Sequence, residues 1–83
     1  MNSVARLRLL SRPDCGLCDE FQAELAQLAQ STQLPPMETI DVDSDPQLAR
    51  RYGLDIPVLL LDGVRVCQHR LDAGELLRLL RPR

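Results

Sequence analysis

Apolar and polar residues alternate with two different periods along this chain, and the changes of period mark its elements. Ala5, Leu7 and Leu9 alternate with Arg6 and Arg8, which predicts a strand over Val4 to Leu10. Ser11 to Asp14 reads as a loop in which Pro13 holds Arg12 extended. From Gly16 to Gln30 the period lengthens, and Leu17, Phe21, Leu25 and Leu28 form a helical stripe flanked by Ala26 and Ala29. Asp19, Glu20 and Glu24 lie toward the positive end of that helix. Leu34-Pro35-Pro36 breaks any helix. Met37 to Val42 alternates again as a short strand, with Ile40 and Val42 inward. Ser44-Asp45-Pro46 starts a short helix, Gln47 to Tyr52, which Gly53 ends.

Val58-Leu59-Leu60-Leu61 is a continuous apolar run, as expected of a strand buried on both faces. Asp62-Gly63 signals a hairpin turn. Val64 to His69 is then the return strand, with Val64 and Val66 on one face and Arg65, Cys67 and His69 on the other. Asp72 can cap a last helix whose stripe is Ala73, Leu76, Leu77 and Leu80, with Arg78, Arg81 and Arg83 near its negative end. The predicted order is β-α-β-α-β-β-α, in one α/β domain spanning residues 1–83.

Composition narrows the class. Hydrophobic residues make up 45% of the 83, but Phe21 and Tyr52 are the only aromatic ones, so the core must be aliphatic. A net charge of −2 supplies no general field for nucleic acid. No apolar run approaches the ~20 residues of a membrane span, and no signal peptide precedes the first strand. A cytoplasmic monomer is the expectation. In that compartment structural disulfides are rare, which makes a paired cysteine motif redox-active or metal-binding rather than a staple.

Such a motif lies at the first strand-to-helix junction, in Ser11-Arg12-Pro13-Asp14-Cys15-Gly16-Leu17-Cys18. Residues three apart on a first helical turn have Cβ atoms roughly 5–6 Å apart, and a disulfide needs about 3.5–4.5 Å, so a small adjustment bridges them. The unsatisfied N–H groups of the helix start also favour a thiolate, which can bring a cysteine pKa from about 8.5 to roughly 3.5–7.5. Cys15, at or before the helix start, is the better placed attacker. Cys18, one turn in on the apolar side, is the resolving thiol. A zinc site is the competing reading. No second pair with ligand spacing follows, although Cys67 and His69 could supply two more ligands. Cys67 otherwise reads as a small packing residue, and His69 as an exposed or half-buried strand residue.

The element order with this motif at its first junction resembles the thioredoxin fold over nearly the whole chain. The Ser11–Cys18 segment is similar to the active-site segment of glutaredoxins, with Arg12 at their basic position three residues before the first cysteine. Leu48 to Leu59, which contains Ile56-Pro57, resembles the segment leading to the cis-proline. Asp72-Ala73-Gly74-Glu75-Leu76 resembles the start of the final glutaredoxin helix. Cys15-Gly16-Leu17-Cys18-Asp19 matches the Cys-x-Leu-Cys-Asp start of short bacterial glutaredoxin-like proteins. The resemblance implies a mixed sheet in the order 2-1-3-4, the last two strands antiparallel to the first pair, with two helices on one face and the short middle helix on the other. It also implies a thiol–disulfide oxidoreductase without a bound cofactor. Arg12 would favour the thiolate or attract a substrate carboxylate, the backbone beside a cis Pro57 would pair with an extended substrate, and Asp72 would contribute at the last helix.

Two departures bear on the partner. Gly16-Leu17 replaces the Pro-Tyr common between glutaredoxin cysteines. Gln68-His69-Arg70-Leu71 stands where glutaredoxins carry a double glycine, and Arg70 and Leu71 are expected to crowd the glutathione groove. Protein or low-molecular-weight disulfides are the expected substrates, a protein disulfide turning over better than a glutathione mixed disulfide, with a reductase or glutathione as electron donor. The alternatives are a non-catalytic redox or metal-binding adaptor on the same fold, or a dimer sharing an iron–sulfur cluster through Cys15.

Overall fold

The computed structural model describes residues 5–81. Strands β1 (Leu7–Ser11), β2 (Met37–Asp41), β3 (Val58–Leu61) and β4 (Val64–Gln68) form one sheet in the order β2-β1-β3-β4. Helices α1 (Gly16–Ser31), α2 (Pro46–Tyr52) and α3 (Ala73–Leu80) alternate with them, and a 3-10 turn over Val42–Ser44 precedes α2. Element order and strand order are those predicted. Val4, expected in the first strand, and Arg83, expected beside the last helix, lie outside the described residues.

β1 pairs in parallel with β2 and antiparallel with β3, and β3 pairs antiparallel with β4. This corrects the expected strand directions: β3 alone opposes the others. The cause is the two-residue turn, which must send β4 back along the direction of β1. Asp62 and Gly63 both take positive φ, 51° and 84°, the pair a type I′ hairpin turn requires. The Asp62 carboxylate also accepts the Arg6 N–H at 2.9 Å, which ties the turn to the chain entering β1.

The sheet is covered on both faces. Leu7, Leu9 and Leu59 face one side with Phe21 and Leu25 of α1 and Leu76 of α3, while Leu10, Val58 and Leu60 face the other with Val42 and Tyr52. β1 and β3 therefore bury both faces, and the edge strand β2 buries little. The buried stripe of α1 runs through Cys18, Phe21 and Leu25, and Leu28 packs against it. Leu17, expected in that stripe, is instead 40% exposed. Leu17 and Cys18 lie about 100° apart on either edge of the line through Phe21, Leu25 and Leu28, and the buried edge is that of Cys18.

β4 is irregular. Leu60 pairs with Arg65 but Leu59 pairs with Cys67, so Val66 is the extra residue of a bulge. Strict alternation, which put Arg65, Cys67 and His69 on one face, fails at that point. Arg65 shares the side of Leu60 and Tyr52, while Val66 and Cys67 pack toward Leu59. His69 leaves the strand in the left-handed region, with φ 68°.

α2 is capped by Asp45, whose carboxylate accepts the Gln47 N–H at 2.8 Å, and it closes at Gly53, whose N–H donates to the Ala49 carbonyl at 2.9 Å. Gly53 has an ordinary helical φ of −57°, so space rather than conformation selects glycine there. A Cβ would collide with the Ala49 carbonyl oxygen and stand 3.4 Å from Arg12 Nη2. Gly53→Ala is predicted to destabilise the protein by about 1–3 kcal/mol, as overpacking does. Urea unfolding checks this, and an unchanged midpoint would mean that the end of α2 yields freely.

Candidate active site

The strand registers bring several segments to one end of the sheet. Ser11 at the end of β1 pairs with Asp41 at the end of β2. Leu10 pairs with Val58, and Val58 pairs with Gln68, so Ile56-Pro57 enters β3 at the same end at which β4 leaves. The segment from Ser11 to Cys18, the turn after β2, Ile56-Pro57 and Gln68 to Arg70 therefore emerge together.

Cys15 and Cys18 form a disulfide there, with Cα atoms 5.2 Å apart, inside the range such bonds require. Cys15 is the N-cap of α1: its backbone is extended, and its Sγ accepts the Cys18 N–H at 3.2 Å. Its carbonyl accepts the Asp19 N–H at 3.1 Å, the first bond of the helix. A sulfur thus takes the place usually held by the oxygen of Ser, Thr or Asp. Asp14 just before it has φ 59°, a left-handed conformation that Asp tolerates better than most residues. The two sulfurs differ in access. Cys15 is half-buried and Cys18 is 2% exposed. Nothing stands within 4 Å of where a Cβ on Gly16 would lie, so the chain between the cysteines faces open space.

Arg12 lies on the same loop, but its guanidinium is occupied. Nε donates to Asp43 Oδ2 at 2.7 Å and Nη2 to Asp43 Oδ1 at 3.0 Å, a fork on one carboxylate. Asp43 is presented by the 3-10 turn, which the Asp41 carboxylate caps through the Asp43 N–H at 2.9 Å. The Arg12 hydrogen bond holds the Asp43 carboxyl below the usual carboxylate range, and Asp43 in turn raises Arg12. Asp43 was not among the residues expected here, since nothing in the sequence marks a partner 31 positions away.

The Ile56-Pro57 bond is cis, as expected. Pro57 is fully buried, and its carbonyl accepts the His69 N–H at 2.8 Å. Ile56 takes no part in the backbone hydrogen bonding of the described residues. Asp72 caps α3, its Oδ1 accepting the Glu75 N–H at 3.0 Å. Leu71, ahead of that cap, is half-buried and packs against the cluster of Leu59, Phe21 and Leu76. Arg70 and His69 remain exposed.

A parallel-plus-antiparallel sheet with a half-accessible Cys-x-x-Cys disulfide at the first helix start and a cis-proline at the same end defines a glutaredoxin-like protein of thioredoxin fold. The glutaredoxin-like domain family (DUF836) matches residues 6–81, and the chain belongs to it. Among solved structures, protein Ne2328 of Nitrosomonas europaea is 26% identical with a TM-score of 0.81, over 95% of this chain and 94% of that one. Protein XcR50 of X. campestris is 33% identical with a TM-score of 0.65, over 92% and 99%. A mutant thioredoxin from Halobacterium salinarum is 29% identical with a TM-score of 0.55, over 90% and 72%. No curated protein matches the sequence. None of the helices among the described residues is long and apolar enough to cross a membrane.

The third cysteine behaves differently from the pair. Cys67 packs against the Leu59 cluster, and its Sγ accepts the Asp72 N–H at 3.5 Å. Burial pushes its thiol pKa up; the Asp72 N–H lowers it, and the charges of Asp72 and Glu75 raise it further. Among the described residues, no three His, Cys, Asp or Glu side chains are grouped as a metal ion would need. In the reduced protein, iodoacetamide near pH 7 should therefore label Cys15 well before Cys67. Mass spectrometry of the alkylated peptides checks this, and equal rates would place Cys67 in the reactive site.

Proposed function

We propose that this chain is a dithiol thiol–disulfide oxidoreductase in which Cys15 attacks and Cys18 resolves. The carrying observation is the asymmetry of the pair: Cys15 is half-buried with its sulfur on the helix N-terminus, and Cys18 is 2% exposed beneath it. In the reduced protein the Cys15 thiolate receives the Cys18 N–H and the positive end of α1, which favours the charged form. It attacks one sulfur of a substrate disulfide. The Cys15–substrate bond forms, the substrate S–S bond breaks, and the first substrate sulfur leaves as a thiolate that takes up a proton. Cys18, after losing its proton, attacks Cys15 Sγ and releases the second substrate thiol. Two electrons pass to the substrate, and the Cys15–Cys18 disulfide remains. External thiols, in the cell the dithiol of a reductase or two molecules of glutathione that leave as their disulfide, return it to the reduced state. Such cycling suits a reducing compartment such as the cytoplasm.

A protein disulfide is the favoured substrate. The Ile56 backbone is free of internal hydrogen bonds beside Pro57, which lets an extended segment pair with it as an added strand. Glutathione is disfavoured for a reason different from a crowded groove. A glutathione carboxylate seeking Arg12 would have to displace Asp43 from both ends of the fork.

The test pairs two variants with two substrates, insulin disulfides and a glutathione mixed disulfide. Cys15→Ser should abolish reduction, whereas Cys18→Ser should accumulate mixed disulfides through Cys15. Turnover should be faster with insulin, and Arg12→Ala should change it little. Trapping by Cys15→Ser would reverse the roles. Efficient, saturable deglutathionylation that falls in Arg12→Ala would make glutathione the partner instead.

A further inference from the structure

The hairpin register of β4 places one side chain that neither the cysteine nor the proline motif announces. The turn pairs Leu60 with Arg65, which puts Arg65 on the α2 side of the sheet, and the extra residue Val66 brings Gln68, opposite Val58, to that same side. There its guanidinium lies over the Tyr52 ring, 5.1 Å from the centroid, and Nη1 donates to Asp55 Oδ2 at 3.2 Å and to Gln68 Oε1. Asp55 immediately precedes Ile56-Pro57, and its own N–H donates to the Tyr52 carbonyl at 2.8 Å. Gln68 lies opposite Val58, and the next residue, His69, donates to the Pro57 carbonyl. One guanidinium thus fastens the chain just before Ile56-Pro57 to the strand that passes beside it. We propose that Arg65 is a positioning residue for substrate: it sets the Ile56 backbone in the orientation that pairs with an extended polypeptide disulfide. This rests on the oxidoreductase reading above and adds to it the element that holds the substrate-pairing edge.

Magnitudes separate this role from a merely structural one. The Arg65–Asp55 pair is about one-third exposed on each side, 34% and 38%, and ion pairs of that kind add little to stability. Orientation is more demanding, since a displacement of about 1 Å can cost on the order of 100-fold in rate. A change at Arg65 should therefore act on the substrate that pairs with Ile56 and spare one that needs only the sulfur.

The experiment compares Arg65→Met, Arg65→Lys and Asp55→Asn with the wild type, dithiothreitol supplying electrons to insulin disulfides or to bis(2-hydroxyethyl) disulfide. Arg65→Met should lower kcat/KM for insulin about tenfold, chiefly by raising KM, because a binding orientation is lost. Activity on the small disulfide should stay within about twofold. Arg65→Lys should recover part of the insulin activity, and Asp55→Asn should reproduce the substrate-selective loss, which keeps the test open if Arg65→Met fails to fold. Equal losses on both substrates, or no loss on insulin in either the Arg65→Met or the Asp55→Asn protein, would overturn the role of Arg65 while leaving the oxidoreductase reading intact. A wild type that turns over neither substrate would overturn that reading, and the role of Arg65 with it.

Discussion

The first turn of α1 has N–H groups with no helical partner, and a sulfur answers one of them. Every helix faces this deficit, and an oxygen at the N-cap ordinarily meets it. Here Cys15 Sγ accepts the Cys18 N–H, so the group that completes the helix is also the group that would carry the chemistry. A neutral sulfur is a weak acceptor, whereas a thiolate makes a charge-assisted bond. On the proposed reaction, reduction would therefore strengthen the cap as it frees the attacking sulfur. The same bond makes the local fold and the proposed reactivity inseparable.

The core and two side-chain pairs frame that end of the sheet. Cys18 is the first residue of the buried α1 stripe, continued by Phe21 and Leu25 against Leu9 and Leu59, so it is anchored by the core. β1 delivers the loop, and its burial on both faces leaves its end little freedom. Arg12 and Asp43 fasten the loop to the turn after β2, and Gly53 leaves room for that fork against the end of α2. On β4, the hairpin register lets Arg65 reach Asp55 ahead of Ile56-Pro57. Two side-chain pairs, Arg12–Asp43 and Arg65–Asp55, thus join separate elements of that end of the sheet.

Local rules were enough for much of this. The alternation in β1, the Asp62-Gly63 turn, the Asp45 and Asp72 caps and the Ile56-Pro57 bond all depend on neighbours within a few positions, and these were legible. The element order and strand order followed, as did the placement of Cys15 at the helix start. Two departures depend on a partner element, and one does not. Leu17 and Cys18 flank the line of Phe21, Leu25 and Leu28, so spacing alone does not choose which of them the sheet buries. Strict alternation puts Arg65 and Cys67 on one face, and they part because of a bulge that exists only against β3. The direction of β4, by contrast, is dictated locally by the two-residue turn. Neither the Arg12–Asp43 nor the Arg65–Asp55 pair could be seen before the fold brought them together.

Whether the α1 N-terminus makes Cys15 the ionised thiol can be read directly from the ultraviolet absorbance of thiolate as the reduced protein is titrated. A first step well below the ordinary cysteine value of about 8.5 is expected, present in the Cys18→Ser variant and absent in Cys15→Ser. A first step at or above about 8.5, or one that survives in Cys15→Ser, would contradict the role given to that sulfur.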